Sequence, residues 1–509
     1  MKGLGALLFG QLFVAAGNLL LVPLYLVRWS ATVYGEWLAM FSLASYLSTL
    51  DLGMNMAVVN RLTQAYVRRD MEEYAECQHS ALAFYLLMAS TATVLLAIAA
   101  ACFPLSGWLG LKETPGSDAF WVVVVLGMQV VFAMPLGMVT NVYRTMGDLA
   151  ASQWIGNAQR LFALLLIAAG LACGGRLKTI ALLQLIPLLL GPALVYLDLR
   201  RRFPSLAPGL SHARLPVVSG LLRPSLLFFL IMLAGALTQQ GSVMLVSSVM
   251  GGVVVALFVT TRTLTNLIRQ VVGVFNSAIW PDLTAIEVRE EHQRLRNLHR
   301  LLVIGSSTVC VAVAAARWFE GAEIITVWTR GRLQPDVVLL RLLLVQLVLS
   351  SPWLASSVFT AATNRHASLS RSYLVAAVVG VGLAAALIRR LGLAAVPIGL
   401  IAGEAIACYH FVLKDSCEIV GECYAGFARR LWLRLPVVVA AGMLAGSAAH
   451  HAVPGPSPLR WLAVGSTTVV AASLSSWWLW LDRNTRAAVV QRLRISTGAD
   501  LVRTALLGR

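Results

Sequence analysis

Apolar runs of about 20 residues follow one another along almost the whole of this 509-residue chain, separated by short polar or basic stretches. A helix needs about that length to cross a hydrocarbon core of about 30 Å, whereas the strands of a membrane barrel are half as long and alternate in polarity. The pattern predicts an all-α polytopic membrane protein with about 14 transmembrane helices. Composition agrees: 58% of residues are hydrophobic and 12% charged, and the mean hydropathy is +0.77. The spans are placed near residues 4–27, 37–59, 81–104, 119–142, 154–173, 179–197, 224–248, 253–280, 301–319, 336–361, 372–388, 392–412, 435–452 and 460–481. The first is longer than the apolar part of a signal peptide and leads straight into the second, so it is read as an uncleaved helix.

The formal net charge is +17. In a soluble chain this would suggest nucleic acid, but in a membrane protein the loop that holds each cation decides its meaning. With the N-terminus inside, about 26 Lys and Arg fall in cytoplasmic segments and about 10 outside, which predicts that both termini are cytoplasmic. The basic stretches around Arg200, Arg214, Arg294 and the tail after Trp480 are read as topology determinants in contact with anionic lipid. Trp108, Trp121, Trp318, Trp328 and Trp461 fall near proposed outer boundaries, and Trp154, Trp432, Trp477, Trp478 and Trp480 near inner ones, as an interfacial belt requires.

Arg160, Arg262, Arg269 and Arg341 are the arginines read as lying within the helices. Arg160 and Arg341 sit close enough to a span end to snorkel. Arg262 lies deeper, with a buried structural ion pair as the alternative to a lumen-facing role, and Arg269, about 10 Å further toward the cytoplasm, could snorkel more easily. With Asn266, Gly273 and Asn276 they recur at i, i+4, i+7, i+11 and i+14, one face of a helix. A charge at the bilayer centre costs about 2.5–3.5 kcal/mol on insertion scales, so such residues face a bundle interior or a water-filled space. Two on one face predict a cationic lining. Asp51 and Glu404 are the isolated deep acids, each a candidate gate or coupling carboxylate with a structural cap or packing role as the alternative. The seven cysteines show no CxxC or Cys/His spacing for a metal and are assigned packing roles, and adjacent His450 and His451 diverge on a helix. No metal site, catalytic constellation or cofactor is expected.

At an offset of 221 the chain aligns with itself, residues 34–79 lying beside 255–300. Identity is low, but the order of features matches: an apolar helix with polar interruptions, a break at Asn60-Arg61 or Pro281-Asp282, then a charged amphipathic segment. An offset of six helices preserves orientation, so the halves are parallel repeats. The expected organisation is a six-helix lobe at 1–200, a basic linker at 201–222, a second six-helix lobe at 223–413, two appended helices at 414–481 and an amphipathic tail at 482–509. Phe41, Ser45, Ser48 and Asn55 match Arg262, Asn266, Arg269 and Asn276, and Asn18 matches Gln239. Polar faces on the leading helices of both halves suit the lining of a cleft between lobes.

Tyr34-Gly35-Glu36-Trp37, Leu50-Asp51-Leu52-Gly53 and Asn60-Arg61-Leu62 resemble the N-terminal signature of bacterial polysaccharide transporters, and Trp280-Pro281-Asp282-Leu283 resembles the opening of that family's second lobe. These are the O-antigen (Wzx-type) flippases of the multidrug/oligosaccharidyl-lipid/polysaccharide exporter superfamily, and the resemblance is clearest over residues 1–110 and 220–310. It implies an inner-membrane flippase, not an enzyme. The implied cargo is an undecaprenyl-pyrophosphate-linked oligosaccharide moved by alternating access, and the implied partners are membrane lipids, a polysaccharide polymerase and export machinery. Arg262 and Arg269 suit the pyrophosphate, because guanidinium forks pair with phosphate oxygens and stay charged. Asn18, Gln239, Gln240, Asn266 and Asn276 suit the sugar hydroxyls. A lipid II flippase, a multidrug cation antiporter and a membrane polymerase or ligase remain as alternatives.

Overall fold

The structure is a computed structural model that describes residues 2–288, 291–363 and 366–480. The described residues of the first half form α1 (Lys2–Arg28), α2 (Ala31–Ser45), α3 (Met54–Arg68), α4 (Met71–Cys102), α5 (Leu105–Trp108), α6 (Gly116–Thr145), α7 (Leu149–Ala172), α8 (Leu177–Leu183) and α9 (Leu185–Arg202). The second half forms α10 (Leu215–Ala236), α11 (Ser242–Met250), α12 (Gly252–Val288), α13 (His292–Trp328), α14 (Val337–Ala362), α15 (His366–Leu391), α16 (Ala395–Ala407) and α17 (Phe411–Ile419), followed by α18 (Tyr424–Ala452) and α19 (Pro458–Trp480). The amphipathic tail lies outside the described residues.

Eleven segments among the described residues are long and apolar enough to cross a membrane. One of them, 41 residues from Ala367 to Ala407, is a hairpin of α15 and α16. Its arms pack backbone to backbone: a Cβ on Gly399 would lie 2.4 Å from Gly380 O, and one on Gly403 2.2 Å from Ala376 O. Such small-residue contacts let helices approach where lipid offers no hydrophobic drive. With this hairpin divided, and α1 and α2 included, the helices match the expected layout of two parallel lobes with two appended helices.

The leading helices of the two repeats differ. After α2 a 3₁₀ turn, Tyr46–Asp51, ends in two left-handed residues, Leu52 (φ 52°) and Gly53 (φ 71°), before α3 begins. The helix thus breaks inside the LDLG motif and not at Asn60-Arg61, which lies within α3. Neither of those residues is obliged to leave a helix, and Arg61 is held across the α3–α4 turn by Glu73 at 3.1 Å. In the second repeat, α12 runs unbroken past Pro281, forgoing at most the one hydrogen bond a proline removes. A second boundary also moves: α13 extends to Trp328, so Arg317 and Trp318 lie well inside a helix instead of at its outer edge.

The lobes meet along α2 and α12, which pack side by side and start at the same end. Buried Trp37 and Met40 of α2 share a core cluster with Leu126 of α6, Ile167 of α7 and Ala256 of α12. The first lobe therefore wraps α2 on its own side while α12 covers it on the other.

Candidate functional site between the lobes

Arg262 and Arg269 are both half-buried on α12. Arg262 lies ten residues from Gly252, about 15 Å along the helix. Its guanidinium donates to the backbone carbonyl of Gln239 at 2.8 Å and sits 4.8 Å above the ring of Phe258. Arg269 donates to Ser350 Oγ at 3.0 Å. Among the described residues neither arginine forms an ion pair with a carboxylate, although twelve such pairs occur elsewhere. Both guanidinium groups thus hydrogen-bond only neutral partners at membrane depth; Arg262 has no acid near it among the described residues, whereas Arg269 lies within electrostatic reach of Glu404.

The acceptor of Arg262 is created by an irregularity in the backbone. Between α10 and α11 the helix opens into a π-turn, Leu237–Gly241, that contains Gln239 and Gln240. Single π-turns change the carbonyl register locally and are frequent at functional sites. Here the turn presents the Gln239 carbonyl to α12, and the side chains of Gln239 and Gln240 are half-buried beside it. Asn266 is likewise half-buried, one turn from Arg262. Arg262 and Gln239 are brought together, with Gln240 in the same turn and Asn266 one helical turn along α12; the side chains of Asn18 and Asn276 lie outside those described.

Arg269 leads into a buried network. Ser350 Oγ donates to Gln346 O at 2.7 Å, Gln346 Nε2 donates to Glu404 Oε1 at 2.9 Å, and Trp353 Nε1 donates to Glu404 Oε2 at 3.1 Å. Helices α12, α14 and α16 thus join Arg269 to Glu404 without direct contact between the charges. Asp51 is elsewhere, in the first lobe, where its carboxylate accepts from Tyr85 Oη at 2.6 Å and lies near the backbone of Gly53 and Asn55. It sits at the helix break that precedes α3 and ties it to α4 through Tyr85. Asp51→Asn is expected to lower thermal stability by about 1–2 kcal/mol, because the Tyr85 hydroxyl would lose its charged acceptor. A thermal-unfolding curve that overlays the wild type would contradict that role at the helix break.

At the end where α2 and α12 begin, the lobes are closed. A Cβ on Gly35 would lie 1.7 Å from Gly252 O, and one on Gly252 2.6 Å from Thr32 O, so the two backbones touch. Glu36 beside them is fully buried, and its carboxylate accepts from the N–H groups of Lys112, Glu113 and Thr114. The loop it holds receives Ser247 Oγ of α11 at Leu109 O, and Trp328 of α13 donates to Leu19 O of α1. The YGEW motif thus supplies a glycine for close approach and a carboxylate that shapes the loop.

Sequence reading missed Arg317, whose guanidinium bonds Leu264 O on α12; the cause was the shortened span assigned to α13. It also missed Gln346 and Trp353, which carry no signal until α14 meets α16. Arg341 is exposed with its guanidinium 4.9 Å above the ring of Trp318, and Arg160 is exposed as well. His450 pairs with buried Glu320 at 2.7 Å, together with Arg460, and so ties α18 and α19 to α13. Of the cysteines, Cys77, Cys310, Cys408 and Cys417 are buried, whereas Cys102, Cys173 and Cys423 are exposed and fill no core.

No protein-family profile matches the sequence, and no curated protein does. Solved structures do match. The chain is similar to an inward-facing multidrug resistance MATE family transporter of the MOP superfamily, with a TM-score of 0.67 and 17% identity, covering 81% of this chain and 95% of that one. It is similar to the lipid II flippase MurJ in an inward closed conformation, with a TM-score of 0.64 and 12% identity, covering 93% of this chain and 98% of that one. An outward-facing MATE family transporter matches with a TM-score of 0.58 at 17% identity, over 82% of this chain and 96% of that one. At these identities the likeness is one of fold.

Proposed function

We propose that this multi-pass membrane protein is a flippase that moves an undecaprenyl-pyrophosphate-linked oligosaccharide from the cytoplasmic to the outer leaflet of a bacterial inner membrane, for O-antigen, capsule or exopolysaccharide export. The observation that carries this reading is the pair Arg262 and Arg269, on one face of α12 at membrane depth, whose hydrogen bonds go only to neutral groups. A pyrophosphate supplies the missing negative charge, and the amides of Gln239, Gln240 and Asn266 suit sugar hydroxyls. The polyprenyl tail stays in the bilayer while the head group passes between the lobes. A multidrug cation antiporter would need the opposite charge at this depth, whereas a lipid II flippase shares the pyrophosphate and is the nearer alternative.

Alternating access supplies the movement: the Gly35–Gly252 end parts while the opposite end closes. Glu404, reached from Arg269 through Ser350 and Gln346, is assigned the coupling role to a proton or sodium gradient. Glu404→Gln keeps an acceptor for Gln346 but removes the charge, so transport by the variant should no longer respond to an imposed gradient, measured in proteoliposomes. Gradient-driven transport of normal size would take Glu404 out of coupling. The reading as a whole is tested by reconstituting the purified chain with a fluorescent polyprenyl-pyrophosphate oligosaccharide and with a cationic dye. Movement of the lipid and not the dye is expected; extrusion of the dye alone would favour the antiporter.

A further inference from the structure

The site on α12 has a neighbour in the first lobe that its arginines and amides do not account for. Tyr46 opens the 3₁₀ turn that continues α2 and is half-buried. Its hydroxyl reaches the π-turn of the second lobe: a Cβ on Gly241 would lie 2.7 Å from Tyr46 Oη. Gly241 ends the same five-residue turn whose Gln239 carbonyl receives Arg262. Arg262 and Tyr46, from different lobes, therefore touch positions two residues apart on one turn. Any side chain at position 241 would push the phenol away.

Tyrosine hydroxyls in apolar surroundings usually find a partner, and four others in this chain do, although the buried Tyr409 hydroxyl has none among the described residues. Tyr74 bonds Thr145, Tyr85 bonds Asp51, Tyr143 bonds Asp198 and Tyr424 bonds His410. The backbone carbonyl of Tyr46 accepts from Thr49 Oγ1 at 2.8 Å, but its hydroxyl has no hydrogen-bond partner among the described residues. An accessible, uncommitted donor and acceptor beside a cation at membrane depth matches a ligand whose anionic and hydroxyl-bearing parts are adjacent. In a lipid-linked glycan the first sugar is bonded directly to the pyrophosphate.

We propose that Tyr46 is a specificity-determining residue that hydrogen-bonds the first sugar of the cargo while Arg262 pairs with the pyrophosphate. This rests on the reading of the α12 site as a polyprenyl-pyrophosphate site. The hydroxyl donates its proton to a sugar oxygen or accepts one from a sugar hydroxyl, and no covalent step is involved. Gly241 is the notch that lets the phenol lie against the turn.

The test is direct binding of two probes, undecaprenyl pyrophosphate and undecaprenyl-pyrophosphate-linked hexose, to the full chain in nanodiscs. Tyr46→Phe keeps the ring and removes the hydroxyl. It is expected to weaken the hexose-bearing lipid about tenfold, the value of one good hydrogen bond, while the bare lipid changes less than about twofold. Gly241→Ala, which displaces the phenol, should follow the same pattern, and unchanged thermal unfolding of Tyr46→Phe separates a binding from a folding effect. Equal losses on both lipids, or none on either, would overturn the role of Tyr46. If the wild type binds neither lipid, the pyrophosphate reading fails, a result distinct from the failure of Tyr46 alone.

Discussion

Arg262→Ala/Arg269→Ala is expected to abolish transport of the lipid-linked oligosaccharide while the protein still inserts and folds. Each guanidinium makes charge-assisted bonds to phosphate worth about 1.5–3 kcal/mol. Removing both costs about 3–6 kcal/mol, a fall of roughly 10²–10⁴ in binding. Folding should survive because neither residue is part of a carboxylate pair whose partner would be stranded; what remains are the Gln239 carbonyl and the Ser350 hydroxyl. Ser350 already bonds Gln346 O within its own helix. Arg262→Lys should recover part of the activity, since it keeps the charge but loses the fork. The comparison is a flipping assay beside a measurement of membrane-inserted protein, and near-normal flipping by the double variant would remove the cationic site from the mechanism.

Gly35→Ala should be nearly as damaging for a different reason. A methyl at this position would sit 1.7 Å from Gly252 O and 2.4 Å from Gly252 C, both backbone atoms that cannot swing aside. The lobes must move apart at this end, at a cost of about 1–3 kcal/mol for overpacking, occasionally more. A bias of that size shifts a two-state equilibrium about 5–150-fold. Each lobe keeps a core of its own, such as the cluster around Tyr74 and Tyr85 in the first and the one around Trp353 and Phe427 in the second, so the variant should fold. The signature is a protein trapped with this end open: transport falls steeply, and a cysteine placed at Ser247 becomes reactive to a membrane-impermeant thiol reagent. Normal transport by Gly35→Ala would mean that contact at Gly35 is dispensable.

The fold was largely legible because the bilayer forces it. A lipid solvent admits only closed backbone hydrogen bonding, so 20-residue apolar runs specify helices without help from tertiary context. The repeat placed α12 opposite α2, and the 3.6-residue period placed Arg262, Asn266 and Arg269 on one face. Local departures from the ideal helix were not legible. The π-turn at Leu237–Gly241 has no composition signature, and the break falls at Leu52–Gly53 instead of the expected Asn60-Arg61. Long-range pairings were also hidden: Glu404 stands out as a lone acid in sequence, yet its donors Gln346 and Trp353 come from a helix about 50 residues away. Glu36 illustrates the reverse, a motif residue visible at once whose partners, the N–H groups of residues 112–114, could be identified only in three dimensions.

The central claim is that the site between the lobes selects its cargo by negative charge. It is tested most directly by reconstituting the wild-type chain with one oligosaccharide carried on three polyprenyl lipids, linked through pyrophosphate, through a single phosphate, or through a neutral ether. The account predicts that flipping falls at each step, by about tenfold or more between pyrophosphate and the neutral link, and that Arg262→Ala/Arg269→Ala loses the distinction. Equal rates for the neutral and pyrophosphate lipids in the wild type would contradict it.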